Sequence, residues 1–505
     1  MRLTRVDYAI VIGLFAASSG LYWLLGVRFD SGTLLPYMQF IDPPLLRERL
    51  LESLWYYHAH PPLLNLFTGI GLKLFGDHAD VYFMLSFHAL GLALALAVYI
   101  LTLRLAGTRA AAIVATFLLV FSPSFVLYEN WLMYTLPSAT LLTVSALLLH
   151  QYVASRRTGW AIAFFGVLAT LLLTRSLFHL AWMLLIVVLL AILLRRHWRQ
   201  VLLAAAAPLL VVVFWYGKNY YYFGTFGAST AMGLGLSNIT TLMVERERLY
   251  PLFQEGRLSQ YVMVSRYERP ELLFMLQRVP QTGVPILDQV KKSDGRHYNY
   301  NNLQLVGANR YYVHDAIEVM RTFPASYAIG LIISNRLFFS PTNMNGYFSV
   351  ANRQAVRPME WIFNPLLYAV GPNSGRVEQP HYGFLGRNQL EVNTSLPLIA
   401  LWFVLLPWGY LQARRGVLAT QADIKPRALV LGFIVLTALY LYVVSTTIEL
   451  GENYRYRFNI EPLFMVLAVT AATDLLRALR KLTRSSTSPS SSLPVRAGPD
   501  SNSSL

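Results

Sequence analysis

The sequence of 505 residues is 55% hydrophobic and only 13% charged, with a formal net charge of +16. Soluble domains carry about twice that charged fraction, and several uncharged runs reach the ~20 residues that cross a bilayer. These features exclude a soluble domain and predict a polytopic membrane protein. The chain has no cysteine, which excludes disulfides, thiolate catalysis and Cys-ligated metals.

The apolar runs predict an all-α protein with about ten transmembrane helices, at residues 6–27, 80–103, 110–128, 131–153, 159–174, 176–194, 199–217, 396–413, 427–448 and 458–476. The first run is too long for the apolar core of a signal peptide and predicts a retained helix. Two shorter stretches, Pro61–Gly76 and Pro324–Pro341, predict helices that lie in the outer membrane interface.

Basic residues cluster beside these runs, where they set topology, so the net charge does not predict nucleic-acid binding. With a cytoplasmic N-terminus, every inside loop is basic. The clusters are Arg2/Arg5, Arg104/Arg109, Arg156/Arg157, Arg195/Arg196/Arg199, Arg414/Arg415/Lys425/Arg427 and Arg477/Arg480/Lys481/Arg484. Arg outnumbers Lys 36 to 6 and the loops are short, which favours a bacterial inner membrane.

This map divides the chain into four parts. An N-terminal transmembrane catalytic module (1–217) contains a first outer loop (28–80), and an extracytoplasmic loop subdomain of mixed structure follows (218–395). Two C-terminal transmembrane helices come next (396–480), before a Ser/Pro-rich cytoplasmic tail (481–505) that is expected to be disordered.

Nearly all the unusual polar residues fall on the outer side, whereas His88 alone lies deep within a predicted span. A transporter usually keeps ionisable groups near the bilayer midplane, so the pattern favours an enzyme at the outer interface. There a carboxylate can act as general base on an acceptor hydroxyl, and cations can neutralise a departing phosphate. Asp30 and Glu129 are the candidate carboxylates; the candidate cations are His60, Lys218, Arg455 and Arg457.

Several motifs occur in a fixed order along the chain. Asp30 follows the first helix; then come "HPPLLNLFTGIGLKLFG", "YENWLMYTLP", "KNYYYFGTFGAS" and "GENYRYRFNIEP". In their order and common sidedness these motifs resemble the GT-C superfamily of integral-membrane glycosyltransferases. The similar branch contains protein O-mannosyltransferases, the aminoarabinose transferase and the Rgt-type enzymes. The resemblance covers about the first 240 and the last 60 residues, and residues 241–395 match no known element.

The resemblance implies an inverting transferase that moves a hexosyl or pentosyl group from a polyprenyl-phosphate donor to a lipid, glycan or protein acceptor at the outer face. It implies Asp30 as the catalytic base and Glu129 as a second acid that orients the acceptor or the base. His60 and Lys218 would contact the donor phosphate. Relatives often have Lys at the first of these positions and Arg at the second, so this chain departs from the pattern at both.

Each candidate has a structural alternative. On the structural interpretation, Asp30 is a solvated acid at a helix end and Glu129 is a membrane-interface residue without a chemical role. Asp42 would form a turn or a helix cap before two prolines. Arg175 is an interface anchor, and Arg455 and Arg457 form an ion pair with Glu449 or Glu452. His58 and His60 have no third ligand at motif spacing, so a metal site stays open but is less favoured than phosphate or structural contacts, and no feature of the sequence supports a divalent cofactor. His58, Asp42 and Arg175 are secondary site candidates.

Two other functions stay open at this point. A lipid-linked sugar flippase or transporter would need a polar path through the bundle, to which only His88 points. An inactive GT-C-like binding protein is the other alternative, and the departures at His60 and Lys218 keep it open.

Overall fold

The computed structural model describes residues 3–264, 272–273, 276, 279–368, 374–380, 388–419 and 425–486. Helices dominate these residues. They are Arg5–Leu24, Pro43–Glu48, Leu50–Trp55, Leu63–Phe75, Ala79–Ala106, Arg109–Val120, Pro123–Glu129, Thr135–Ser155, Thr158–Thr174, Leu180–Leu193, Trp198–Phe223, Met232–Ile239, Arg246–Gln254, Pro285–Asp288, Gln304–Thr322, Pro324–Phe338, Val350–Ala355, Arg357–Leu367, Leu396–Leu418, Pro426–Ile448, Asn453–Phe458 and Glu461–Ser486. Two strands, Ser374–Gln379 and Asn388–Asn393, pair antiparallel.

The all-α membrane fold is confirmed, whereas the count of ten spans is not. Among the described residues, seven helical stretches are long and apolar enough to cross a membrane: Arg5–Leu24, Leu63–Ala106, Thr135–Ser155, Arg195–Phe223, Leu396–Leu418, Pro426–Ile448 and Glu461–Thr483. Two bent helix pairs bring the number to nine if each is one span. Thr158–Thr174 and Leu180–Leu193 were predicted as spans, and both are apolar but shorter.

The bends follow from the local sequence. Ser122 accepts a hydrogen bond from the Phe125 N–H and Pro123 is the first helical residue, so a new helix begins there. The chain turns by 62° at this break. Pro324 likewise begins a helix after Gln304–Thr322, with a bend of 108°. The helix at Leu63–Phe75, predicted to lie along the interface, continues through a 3-10 turn into Ala79–Ala106.

The basic ends of the helices meet one another at one end of the bundle. Arg109 pairs with Asp7 of the first helix, with Nε 2.8 Å from Oδ1. Arg477 donates to the carbonyl of Ala106, and Gln200 donates to the carbonyl of Arg156. These contacts join helix ends that the charge pattern assigns to a single side of the membrane.

The chain between the seventh and eighth predicted spans forms small apolar cores of its own. The helix Met232–Ile239 packs against Gln304–Thr322 at Gly233, where a Cβ atom would come within 2.3 Å of the Asn309 carbonyl oxygen. Leu234, Leu305 and Tyr312 belong to one of these cores. The last helix runs on to Ser486, six residues into the predicted tail; the rest of the tail, residues 487–505, lies outside the described residues.

Candidate active site

A cavity of about 1420 Å³ lies where the predicted outer segments meet. Its wall contains Pro36 to Gln39 from the first outer loop, the turn that begins at Arg175, and residues that follow the helix Trp198–Phe223. The last outer segment contributes Glu449 to Glu452 and the residues that follow. Segments far apart in the sequence therefore line one cavity.

Arg175 is the most unusual charge in this wall. The helix Thr158–Thr174 ends there in extended backbone, which brings the side chain into the bundle with 2% of its surface exposed. Nη1 donates to Oδ1 of Asn459 at 2.9 Å, and the guanidinium lies over the rings of Tyr134 and Tyr456 at 4.9 and 4.7 Å. Among the described residues no carboxylate forms an ion pair with it.

Arg455 is the second buried guanidinium and is also 2% exposed. It lies in the short helix Asn453–Phe458, contacts the carboxylate of Glu452 and donates to the hydroxyl of Tyr134 at 3.3 Å. Its guanidinium also lies within 5.9 Å of the ring centroids of Trp131 and Tyr456. The two arginines thus share Tyr134 and Tyr456 as neighbours.

His60 completes a group of three basic side chains, which we name the cation pole: Arg175, Arg455 and His60. Burial and the charge of Arg455 lower the pKa of His60 to about 4, so the imidazole is neutral in the empty cavity at neutral pH. In the described part of the chain, Nη2 of Arg175, Nε of Arg455 and Nε2 of His60 are buried without hydrogen-bond partners. Nitrogens of this kind are the donors that an anion would occupy.

Asp30 is partly exposed and lies beside the cavity rather than in its lining. Its backbone N–H donates to the carbonyl of Asn130, and its carbonyl accepts from Leu132 N–H, so Asp30 pairs with the chain on both sides of Trp131. The indole of Trp131 contacts Tyr37 edge to face at 6.0 Å. Burial first, and then the charge of Asp30, raise the pKa of Tyr37 to about 12.

Glu129 is buried at the end of the helix Pro123–Glu129, and Oε1 lies 3.0 Å from Nδ1 of His88. Gly91 faces this carboxylate, since a Cβ there would stand 2.6 Å from Oε1. Glu129 is absent from the lining of the cavity. Its connection to Asp30 runs through Asn130, the next residue in the chain.

Lys218 and His58 are engaged in holding the backbone. The ammonium of Lys218 donates to the carbonyls of Trp55 and Tyr57, each at 2.9 Å, and neither Lys218 nor His58 lines the cavity. The ring of His58 is bonded on one side to the hydroxyl of Thr230 at 2.8 Å and on the other to the carbonyl of Asn301 at 3.0 Å. Both residues fix the segment that leads to His60.

Arg457 and Asp42 also lie outside the cavity lining. Arg457 donates to the carbonyl of Phe338 at 2.6 Å and lies 3.8 Å from Oε2 of Glu461, consistent with the ion-pair alternative, although its partner is Glu461 and not Glu449 or Glu452. The carboxylate of Asp42 accepts the backbone N–H and the hydroxyl of Ser293. The predicted role of Arg457 at the donor phosphate and the candidacy of Asp42 as a site residue stay predictions.

Sequence reasoning missed the aromatic part of the site. Tyr134 and Tyr456 stand within the motifs "YENWLMYTLP" and "GENYRYRFNIEP", and Tyr37 follows Asp30 by seven residues, but no role was predicted for any of the three. The signal was present as aromatic residues interleaved with the outer charges. For metals, no cluster of three or more His, Asp or Glu side chains suited to an ion occurs among the residues that the structure describes.

No family model and no curated protein matches this sequence. Among solved structures, the chain is similar to ArnT from Cupriavidus metallidurans bound to undecaprenyl phosphate, with a TM-score of 0.33 and 15% identity over 89% of this chain and 77% of that one. It is also similar to the Archaeoglobus fulgidus oligosaccharyltransferase in complex with Zn and sulfate, with a TM-score of 0.37 and 13% identity. That match covers 94% of this chain and 50% of the other.

Both of these proteins are GT-C glycosyltransferases, the superfamily that the sequence motifs resemble. At scores this low, the likeness carries no argument about substrate or mechanism.

Proposed function

We propose that this chain is a multi-pass glycosyltransferase that takes a sugar from a polyprenyl-phosphate donor. The acceptor is a lipid, a glycan or a protein at the outer face of a bacterial inner membrane. The phosphate binds at the cation pole, and the sugar extends into the cavity along its tyrosine-rich wall.

One observation carries this proposal: Arg175 is almost fully buried, and no carboxylate of the described residues pairs with it. A buried charge without a partner is strongly destabilising. An anionic ligand removes that penalty. The unpartnered nitrogens of Arg455 and His60 beside it suit the oxygens of a phosphate, and a bound phosphate would also raise the pKa of His60 and favour its charged form.

The proposed reaction is a single inverting displacement. The acceptor oxygen attacks C1 of the sugar from the face opposite the phosphate, and its proton passes to the carboxylate of Asp30. The bond between C1 and the phosphate oxygen breaks, and the polyprenyl phosphate leaves with its charge neutralised by Arg175 and Arg455. Glu129 acts indirectly by helping to orient Asp30, since its neighbour Asn130 pairs with the backbone of Asp30.

The test separates binding from chemistry in the purified protein. Undecaprenyl phosphate serves as the binding probe, and a panel of labelled polyprenyl-phosphate sugars serves for turnover. We expect Asp30→Asn to keep the Kd of the probe within about twofold. It should lower kcat by about 10²-fold or more, as the loss of a general base does. Wild-type turnover in Asp30→Asn, with a donor that the protein accepts, would rule the mechanism out.

The other two functions give different results in the same experiment. An inactive binding protein would bind undecaprenyl phosphate and turn over no donor. A flippase would move the lipid-linked sugar from one leaflet of a liposome membrane to the other, and Asp30→Asn would leave that movement intact.

A further inference from the structure

The segment of residues 284–303 lies in the part of the chain that shows no family resemblance. It packs against the first outer loop. Its centre is a tight hairpin in which Lys292 N–H donates to the His297 carbonyl and Asn299 N–H to the Val290 carbonyl. Gly295 takes the left-handed conformation at the turn, with φ of +66°. Asp294 accepts hydrogen bonds from two backbone N–H groups of the turn, at 3.0 Å each. The hairpin therefore presents Lys292 from a fixed backbone.

Lys292 is 3% exposed and uses all three of its N–H donors on one loop. Nζ donates to the carbonyls of Leu34, Leu35 and Tyr37 at 3.1, 2.8 and 2.9 Å. These carbonyls belong to irregular chain, where buried backbone groups need partners from elsewhere. The same loop lines the cavity from Pro36 to Gln39.

Asn301 forms side-chain hydrogen bonds to the backbone of the loop that carries His60, as Lys292 does for the loop that carries Tyr37. Its Oδ1 accepts from the N–H groups of His58 and Ala59 at 2.8 and 3.0 Å. Its Nδ2 donates to the carbonyl of Tyr56 at 3.1 Å, and its own carbonyl bonds the ring of His58. One buried side chain thus sets the backbone directly before His60.

We propose that Lys292 and Asn301 are positioning residues, which hold Tyr37 and His60 at the geometry that the cavity needs for its phosphate ligand. We name these two residues the clip. This role rests on the proposed function, because it assigns the phosphate site as the place where the clip acts. The side-chain hydrogen bonds of the clip run to the two loops, and its effect passes through them.

The physical reason is the sensitivity of such sites to small displacements. Neither loop has regular backbone pairing of its own across the residues that the clip binds. Without Lys292, three carbonyls lose their donors and the loop can settle elsewhere. A misplacement of about 1 Å at a site of this kind can reduce function by about 10²-fold.

Binding of undecaprenyl phosphate to the purified full chain is the first measurement. Lys292→Met removes the three donors with little change of shape, and Asn301→Asp keeps the two accepted hydrogen bonds while losing the donor to Tyr56. We expect each variant to raise the Kd at least tenfold. The matched control is Lys291→Met, which removes the same charge from an exposed neighbour and should leave the Kd within twofold.

The second measurement needs no ligand. The chain has no cysteine, so a Met38→Cys variant places a single thiol in the cavity wall. We expect Lys292→Met to change its rate of labelling by an anionic methanethiosulfonate reagent at least fivefold, whereas Asn301→Asp and Lys291→Met should not. If Lys292→Met fails to fold, the Kd of Asn301→Asp for undecaprenyl phosphate tests the clip in its place.

The outcomes are separable. An unchanged labelling rate in Lys292→Met overturns the clip. A changed rate with unchanged Kd in both variants also overturns it, since the residues would then be structural only. If the wild-type protein does not bind undecaprenyl phosphate, the proposed function fails, and the labelling rate alone decides whether the clip sets the cavity wall.

Discussion

Two arginines with the same burial show what distinguishes a binding residue from a structural one. Arg175 and Arg457 are each 2% exposed. Arg457 has the carboxylate of Glu461 and the carbonyl of Phe338 beside it. Arg175 has one amide oxygen and two aromatic rings. In the second environment no carboxylate of the described residues lies within ion-pair distance, and the charge of Glu452 acts on Arg175 only from farther away.

Arg175→Met should therefore act in opposite directions on stability and on binding. We expect the ligand-free protein to unfold at a higher temperature, because a buried charge without an acidic partner has been removed. We expect the Kd for undecaprenyl phosphate to rise at least tenfold, since a hydrogen bond to a charged group contributes about 1.5–3 kcal/mol. Thermal unfolding in detergent and a binding titration measure the two effects.

Arg457→Met is the matched control for this prediction. It removes one member of a buried pair and leaves Glu461 uncompensated, which should lower the free energy of unfolding by about 3 kcal/mol. If both variants are destabilised to the same extent, Arg175 is a structural residue like Arg457.

His58 and His60 in the first outer loop predict a dependence of stability on pH. Burial lowers the pKa of His58 to about 3 and that of His60 to about 4, while the unfolded chain titrates near 6.5. Between pH 6.5 and 4 the unfolded state binds protons that the folded state does not. Stability therefore falls as the pH falls through this window, by up to about 1.4 kcal/mol per unit for each histidine.

His58→Gln should reduce the slope of stability against pH, whatever it does to stability at pH 7. Unfolding midpoints at pH 7, 6 and 5 give the slope. The control is His78→Gln, which replaces an exposed histidine and should keep the wild-type slope. Equal slopes in the wild type and in His58→Gln would contradict the assignment to His58.

At the scale of elements, the sequence predicts helices well and their breaks poorly. Hydropathy located each apolar helix, because burial in lipid selects for composition alone. The break at Ser122–Pro123 carried a recognisable cap, yet the apolar run hid it. The partners of Lys218 could not be predicted, since the carbonyls of Trp55 and Tyr57 lie more than 160 residues away. His60, Arg175 and Arg455, which line the cavity, are among the predicted site residues because their outer position and charge are visible in the sequence.

The packing of Met232–Ile239 on Gln304–Thr322 depends on one glycine. A Cβ at Gly233 would approach the Asn309 carbonyl oxygen to 2.3 Å, so the two helices would have to separate. We expect Gly233→Ala to lower the free energy of unfolding by about 1–3 kcal/mol, as overpacking does. Chemical or thermal unfolding of the purified protein measures this.

Gly217→Ala is the natural comparison. Gly217 lies inside the helix Trp198–Phe223 with nothing within 4 Å of an added Cβ. Alanine there should stabilise the helix by up to about 1 kcal/mol. A loss of stability in both variants would show that helix packing at Gly233 is not the cause.

In the whole molecule, the basic clusters and the cavity lie in different parts of the bundle, as the charge pattern predicts. The basic clusters meet at one end of the bundle through contacts such as Arg109 with Asp7. The segments without such clusters converge on the cavity. The positive-inside pattern predicts that the basic end faces the cytoplasm. On that prediction the cavity opens toward the opposite face, where the proposed lipid-linked donor and outer acceptor would meet.

The absence of cysteine makes this sidedness testable with single reporters. Lys291 and Arg196 are both exposed and lie on opposite predicted faces. In spheroplasts of a bacterial expression host, a membrane-impermeant maleimide should label a Lys291→Cys variant directly. It should label an Arg196→Cys variant only after the membrane is permeabilised. The reverse pattern would place the cavity in the cytoplasm and exclude an outer-face acceptor, because the cation pole and the face that carries Lys291 belong to the same set of converging segments.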